Sequence, residues 1–194
     1  MHAYFGDLAA LAEGAALSIG PGVEKAARLV AGAALSGRTT FAFGNGGSAT
    51  QAQHFAAELV VRYQDDRPAL PAVALAADVA ILTACANDYD FSAVFSRQVE
   101  ALAKAGDVAV GLTTSGSSPN VLKALKAARA RGLSTIFLTG EKGRAEAARW
   151  DVGIVVPSRE TAHVQELHLA ALHLICRFVD EEREKRERRG REIP

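Results

Sequence analysis

The sequence lacks the features of a membrane or secreted protein. No apolar run approaches the roughly 18 residues of a membrane-spanning helix, and no basic segment followed by an apolar stretch opens the chain. The only two cysteines, Cys85 and Cys176, lie in apolar surroundings and are too few for a disulfide framework. We therefore expect core thiols, a cytoplasmic location and no membrane contact.

Charge of one sign is also lacking, because Lys+Arg and Asp+Glu both total 22. This balance gives no reason to expect a nucleic-acid surface. At 194 residues, 49% apolar and 23% charged, the chain is typical of one globular domain. We expect N-terminal helices over 1–36, an α/β core over 37–180 and a charged tail over 181–194. The tail alternates in charge sign, which favours a solvated helical extension.

Short apolar segments alternate with helical patterns along the rest of the chain. The predicted strands are 39–43, 72–75, 107–113, 134–138 and 152–156. The predicted helices between and after them include those ending near 63 and 150 and a long one over 161–184. Such alternation predicts a doubly wound, flavodoxin-like parallel sheet of about five strands flanked by helices, preceded by a helical hairpin broken at 19–22. Ligands of such sheets bind at the carboxyl ends of the strands.

Two polar loops follow predicted strands. Residues 44–48 read GNGGS and lead into a helix, where glycines and the helix N-terminus favour an anion. This loop matches neither the Walker pattern nor GxGxxG, and a simple tight turn stays an alternative. Residues 113–118 read TTSGSS, with five hydroxyls before another helix. An N-cap needs only one or two of these hydroxyls, so the pair of loops favours a phosphorylated ligand.

Two helices carry candidate metal ligands. His54 and Glu58 are four residues apart and share one helix face. Gln165 and His173 lie on the last helix, with His168 as a competing candidate. A core histidine is the alternative for each imidazole, but together these groups favour a divalent metal such as zinc. Eight residues of helix separate Gln165 from His173 by about 12 Å, so both side chains must lean inward to share an ion.

Four segments together resemble the phosphoheptose isomerases of the sugar isomerase (SIS) domain superfamily. They read GNGGSATQAQHFAAEL, ANDYDF, TTSGSSPNV and VQELHLAALH. The resemblance covers nearly the whole chain and weakens only in the charged tail. The loops are typical of the superfamily, whereas the set of His54, Glu58, Gln165 and His173 is typical of the isomerase branch.

The resemblance implies an isomerase that converts sedoheptulose 7-phosphate to D-glycero-D-manno-heptose 7-phosphate through an enediol(ate), for nucleotide-activated heptose biosynthesis. It also implies a homotetramer with active sites between subunits and a zinc ion in each subunit. Glu58 would move the proton between C1 and C2, and His173 would act as acid and base on the sugar oxygens. The implied metal ligands are His54, Glu58, Gln165 and His173. The implied substrate contacts are Asn45, Gly46, Gly47, Glu58, Asn87, Asp88, Thr113, Thr114, Ser115, Ser118 and Gln165.

Two other functions stay open at this point. A related SIS protein binds the bacterial replication initiator and is not an enzyme, and the QAQHFAA and ACANDYD wording is similar to it. That relative lacks the glutamate and the last histidine, both present here as Glu58 and His173, which favours the enzyme. The second alternative is a sensor or isomerase for another sugar phosphate, because nothing in the loops indicates how many carbon atoms the sugar has.

Overall fold

The computed structural model describes residues 2–191 and has the predicted α/β architecture. The strands are β1 (Thr40–Gly44), β2 (Ala72–Ala74), β3 (Val108–Thr113), β4 (Ser134–Gly140) and β5 (Val152–Val156). The α-helices are α1 (His2–Ser18), α2 (Gly20–Ala34), α3 (Gly47–Val60), α4 (Val79–Asp88), α5 (Ser96–Leu102), α6 (Pro119–Ala130), α7 (Arg144–Ala147) and α8 (Thr161–Arg191). Short 3-10 turns precede α5 and α7.

All five strands are parallel, in the order β2-β1-β3-β4-β5. The predicted fold class is therefore confirmed. The chain leaves β1 toward one edge, forms β2, and returns to the other side of β1 to form β3. This reversal puts the switch point between β1 and β3, where Gly44 pairs with Leu112. The loops that follow β1 and β3 are consequently neighbours at the carboxyl edge of the sheet.

Helices cover both faces of the sheet, as the uniform apolarity of β3 predicts. Successive β3 residues alternate between two cores: Val108, Val110 and Leu112 belong to one, and Ala109 to the other. The first core contains residues of α2, α3 and α8, and the second contains residues of α5 and α6. The first core therefore sets the positions of α3 and α8 against the same sheet face.

Local sequence signals account for several helix ends. The Asp78 carboxylate accepts a hydrogen bond from the Ile81 amide and caps α4, as expected. Gly132 follows α6 with φ +79°, which matches the predicted terminal glycine. The helix expected to reach residue 150 is shorter: a 3-10 turn at Glu141–Gly143 precedes the four residues of α7. Gly143 there packs against Gly116 and Thr139, which leaves no room for a side chain at this position.

The two ends of the chain are helical in the described region. The N-terminal helices are confirmed, with Ile19 alone between α1 and α2. The expected tail helix is longer than predicted and reaches Arg191, with ion pairs such as Arg183 with Glu187 along its surface. Residues 192–194 of the tail lie outside the described residues, and the proposed domain boundaries stay predictions. Within residues 2–191, no helix is long and apolar enough to span a membrane.

Candidate active site

The loops after β1 and β3 are joined by a pair of amide side chains. Asn45 Nδ2 donates to Asn120 Oδ1 at 2.9 Å, and Asn120 Nδ2 donates back to Asn45 Oδ1 at 2.7 Å. Asn120 is buried in the first turn of α6. Gly46 has φ +55° at the N-terminus of α3, a conformation that glycine adopts without strain. The two expected ligand loops therefore form one continuous surface.

The loop over residues 113–118 orders its hydroxyls around Thr113. Thr113 Oγ1 lies 2.8 Å from Ser118 Oγ and 3.3 Å from Ser115 Oγ. Gly116 turns the loop with φ +75°, and a side chain there would meet Gly143. Ser118 precedes α6 without capping it through its side chain. These hydroxyls are thus close together and bonded mainly to one another, an arrangement suited to an anion with several acceptor oxygens.

His54, Glu58 and His173 converge on one point between α3 and α8. His54 Nε2 lies 3.0 Å from Glu58 Oε1 and 3.3 Å from His173 Nε2. One ligand atom from each of the three residues lies within 4.8 Å of the other two. The side chains of His54 and Glu58 remain 42% and 20% exposed, so a reactant can reach them. We call this group the α3–α8 cluster.

The two helices run side by side in register. Gln51 Nε2 donates to the Gln165 carbonyl at 2.6 Å near the start of both helices, and His54 meets His173 further along. The Tyr63 ring lies beside His173, with ring centroids 5.8 Å apart. This alignment brings together residues that are 119 positions apart in sequence.

The α3–α8 cluster fits a divalent cation. Two imidazole nitrogens and one carboxylate oxygen are a donor set that zinc uses in catalytic sites. Without a cation, His54 Nε2 has both Glu58 and His173 as neighbours, and Glu58 Oε2 is buried without a hydrogen-bond partner among residues 2–191. A cation would take the lone pairs of both imidazoles and give the carboxylate a partner. The structure thus supports a metal site here, without identifying the metal.

Gln165 and His168 lie elsewhere on α8. The Gln165 amide packs against Gly47, where an added Cβ would approach its Nε2 to 2.7 Å. Gly47 lies about two helical turns before His54, so Gln165 as a metal ligand stays a prediction. His168 is fully buried and lies outside the α3–α8 cluster. Burial lowers its pKa to about 4, so this competing candidate is a neutral core histidine.

Asn87 and Asp88 end α4 at an exposed position. Asn87 Nδ2 donates to Asp88 Oδ1 at 2.8 Å. Asp88 lines an apolar groove of about 380 Å³ between α4 and α5, which does not include the two ligand loops. Within one chain the structure therefore does not bring these two residues together with Asn45. Their substrate contact stays a prediction.

A smaller cleft of about 300 Å³ opens beside Asn45 and Ser118. Its other lining residues are Asp90, Phe91, Ser92, Pro119 and Asn120. Sequence reasoning stopped at Asn87 and Asp88 in the ANDYDF segment and did not select these residues. The signal was present, since Asp90 to Ser92 continue the same polar break and Asn120 follows Pro119 at the helix start.

Comparison with known proteins agrees with this geometry. The family model described as SIS domain matches residues 3–140. A phosphoheptose isomerase of Citrifermentans bemidjiense is 49% identical over 164 residues, which cover 84% of this chain and 85% of that protein. The solved phosphoheptose isomerase of Neisseria gonorrhoeae superposes with a TM-score of 0.86 at 42% identity, covering 93% and 96% of the two chains. That of Francisella tularensis gives 0.87 at 34% identity, with the same coverage.

The chemistry of the candidate site and the similarity to known proteins indicate the same family. The structure brings three of the four implied metal ligands together on α3 and α8 and clusters the hydroxyls after β3. The alternative of a non-catalytic initiator-binding protein is not favoured. Glu58 and His173 are both present, and each contacts His54. The chain belongs to the SIS domain family, in its phosphoheptose isomerase branch.

Proposed function

We propose that the chain is a phosphoheptose isomerase that converts sedoheptulose 7-phosphate to D-glycero-D-manno-heptose 7-phosphate, for nucleotide-activated heptose biosynthesis. The observation that carries the proposal is the convergence of His54, Glu58 and His173 on one point between α3 and α8. Relatives at 45% and 49% identity bear the name phosphoheptose isomerase. Two buried free thiols, Cys85 and Cys176, agree with a cytoplasmic location.

Glu58 acts as the base in the proposed reaction. Its carboxylate takes the proton from C1 of the ketose and returns it to C2, by way of an enediol(ate). His173 gives and takes protons at the two sugar oxygens, because imidazole exchanges protons near neutral pH. Both side chains belong to the α3–α8 cluster, so a sugar bound there meets the two groups together.

The α3–α8 cluster holds the metal in this proposal. His54, Glu58 and His173 bind zinc, and Gln165 is the fourth ligand proposed from the resemblance. When bound, zinc would polarise the sugar oxygens and stabilise the negative charge that develops on them. Glu58 serves both metal and substrate through its two carboxylate oxygens, one of which already faces His54.

The loops hold the rest of the substrate. Thr113, Thr114, Ser115 and Ser118 bind the phosphate with hydroxyl and backbone donors, since a phosphate accepts many hydrogen bonds. Asn45, Gly46 and Gly47 contact the sugar, and Gln165 lies against Gly47 where it reaches the same region. The reciprocal bond with Asn120 fixes the orientation of the Asn45 amide.

We also propose a homotetramer with active sites between subunits. Ile81, Tyr89 and Leu102 are exposed apolar side chains around the groove between α4 and α5, and a second copy would bury them. Asn87 and Asp88 at this groove would then contact the substrate of a neighbouring subunit. Sedimentation should give about four times the chain mass of 20.4 kDa, and a monomer would contradict this arrangement.

A panel of ketose phosphates with five, six and seven carbons tests the reaction most simply. Each sugar is incubated with the zinc-loaded protein, and aldose formation is followed by NMR. We expect the seven-carbon ketose to have the highest kcat/KM. Turnover of none of these sugars would reject the proposed function, and a clear preference for a shorter one would reassign the substrate.

A further inference from the structure

A buried ion pair joins the region after α3 to α8. Arg67 Nε donates to Asp180 Oδ1 at 2.7 Å, and the two side chains are only 1% and 8% exposed. An arginine this deeply buried keeps its charge, so the surrounding groups must satisfy its donors.

Nη1 and Nη2 of Arg67 bind the last turn of α3, and Nη1 also donates to the Pro68 carbonyl at 3.1 Å. Nη2 donates to the Glu58 carbonyl at 2.6 Å, and Nη1 donates to the Leu59 carbonyl at 2.9 Å. The last carbonyls of a helix have no partner within the helix. Arg67 therefore caps α3 through the backbone of Glu58 itself. This cap also explains why α3 ends at Val60, earlier than the sequence predicts.

The other end of the ion pair lies on the helix that carries His173. Asp180 follows His173 by seven residues, which places both on nearly the same face of α8, about 20° apart. Arg67 thus spans from the Glu58 backbone on α3 to the His173 face of α8. The ion pair therefore ties the last turn of α3, at Glu58, to α8 about two turns beyond His173.

We propose that Arg67 and Asp180 are positioning residues that hold Glu58 in register with His173. This inference rests on the proposed metal site and reaction, and goes beyond them by assigning a role to residues that touch neither metal nor substrate. The planar guanidinium is suited to the task because it binds one carboxylate and three carbonyls in a fixed fork geometry. Without it, the C-terminal turn of α3 loses its tie to α8, and the spacing of Glu58 from His173 is no longer fixed.

The test compares the wild type with Arg67→Met/Asp180→Leu, which removes both charges together. A single substitution would leave one charge buried without a partner and threaten folding. Urea unfolding first verifies that the double variant folds. We expect its zinc Kd, measured by chelator competition, to rise at least about tenfold and kcat to fall at least about tenfold, as for other residues that orient metal ligands. KM should stay within about twofold, because the hydroxyl loop is untouched.

A matched control removes a buried carboxylate that belongs to neither α3 nor α8. Asp107 Oδ1 and Oδ2 accept hydrogen bonds from the amides of Thr39 and Lys104, far from the strand ends that carry the loops. Asp107→Asn should lower stability without changing the zinc Kd. A folded Arg67→Met/Asp180→Leu protein with the wild-type zinc Kd and kcat would overturn the proposal, as would a wild type that binds no zinc. Zinc binding without turnover in the wild type would instead reject the proposed reaction and leave the zinc comparison to decide this inference.

Discussion

The hydroxyl loop and the α3–α8 cluster are built in opposite ways. The loop draws its hydroxyls from six consecutive residues, 113–118, and its internal bonds span two to five positions. The α3–α8 cluster joins His54 to His173 across 119 positions and includes an ionisable carboxylate, Glu58. The loop offers neutral donors only, whereas the cluster offers a base and metal ligands.

This difference separates the residues that bind the phosphate from the residues that act on the reacting atoms. Neutral hydroxyls bind a phosphate equally well in ground and transition states, so they act mainly on KM. The carboxylate and imidazoles act on the atoms whose bonds change, so they act mainly on kcat. The cluster also depends on the packing of two helices, whereas the loop depends on one turn.

The largest expected effect is that of Glu58→Gln, which keeps the size of the side chain and removes the base. We expect kcat to fall at least about a thousandfold, or about 4 kcal/mol in activation free energy. Inorganic phosphate should still bind with the wild-type Kd, because the hydroxyl loop is intact. Glu24→Gln, on an exposed ion pair with Arg28, is the control and should keep full activity. Wild-type turnover by Glu58→Gln would remove the chemical role assigned to the α3–α8 cluster.

His54→Ala tests the metal role of the α3–α8 cluster. Loss of one of three converging ligands should raise the zinc Kd at least about a hundredfold, or about 2.7 kcal/mol. Chelator competition measures this, with the exposed His2→Ala as control. An unchanged zinc Kd in His54→Ala would place any metal outside this cluster.

Ser118→Ala tests the hydroxyl loop. Thr113 Oγ1 loses its 2.8 Å neighbour, and a phosphate loses one donor. We expect KM to rise about tenfold, or about 1.4 kcal/mol, with kcat within about twofold. Ser117→Ala is the control, because the Ser117 hydroxyl donates only to Ser115 Oγ, at 3.2 Å. A fall in kcat at constant KM would erase the distinction between the two regions.

The smallest effect concerns His168, which lies on α8 but outside the α3–α8 cluster. Its pKa of about 4 is below the usual 6.5 because of burial, so the unfolded chain binds a proton that the folded chain does not. Stability should therefore fall as pH drops below 6.5, by about 1 kcal/mol between pH 6.5 and 5.5. Urea unfolding at both pH values measures it, and His168→Met should lose that part of the pH dependence. If the stability of His168→Met depended on pH as much as that of the wild type, other groups would be the cause of the dependence.

The sequence predicted the local features best. The five strands, the Asp78 cap and the glycine after α6 follow from short-range rules, and their positions agree with the structure to within a few residues. The hydroxyl loop was predicted for the same reason, since its donors are adjacent. The pairing of His54 with Glu58 also needed only the helix period.

Features that depend on packing were beyond the sequence. The ion pair of Arg67 with Asp180 spans 113 positions, and no local pattern marks either residue as buried. The packing of the Gln165 amide against Gly47 is a tertiary contact. The role of Asn120 likewise depends on its hydrogen bond with Asn45, which lies 75 positions earlier in the sequence. Residues on different helices or strands follow no common sequence pattern, so contacts between them cannot be inferred from the spacing of residues.

Isomerisation in D₂O tests most directly the central claim that Glu58 carries the proton between the two sugar carbons. The product of the seven-carbon ketose phosphate is analysed by NMR for deuterium at C2. We predict that the wild-type protein introduces deuterium there, because a carboxylate base exchanges its proton with solvent, and that Glu58→Gln introduces none. Deuterium incorporation by Glu58→Gln at the wild-type rate would contradict the claim.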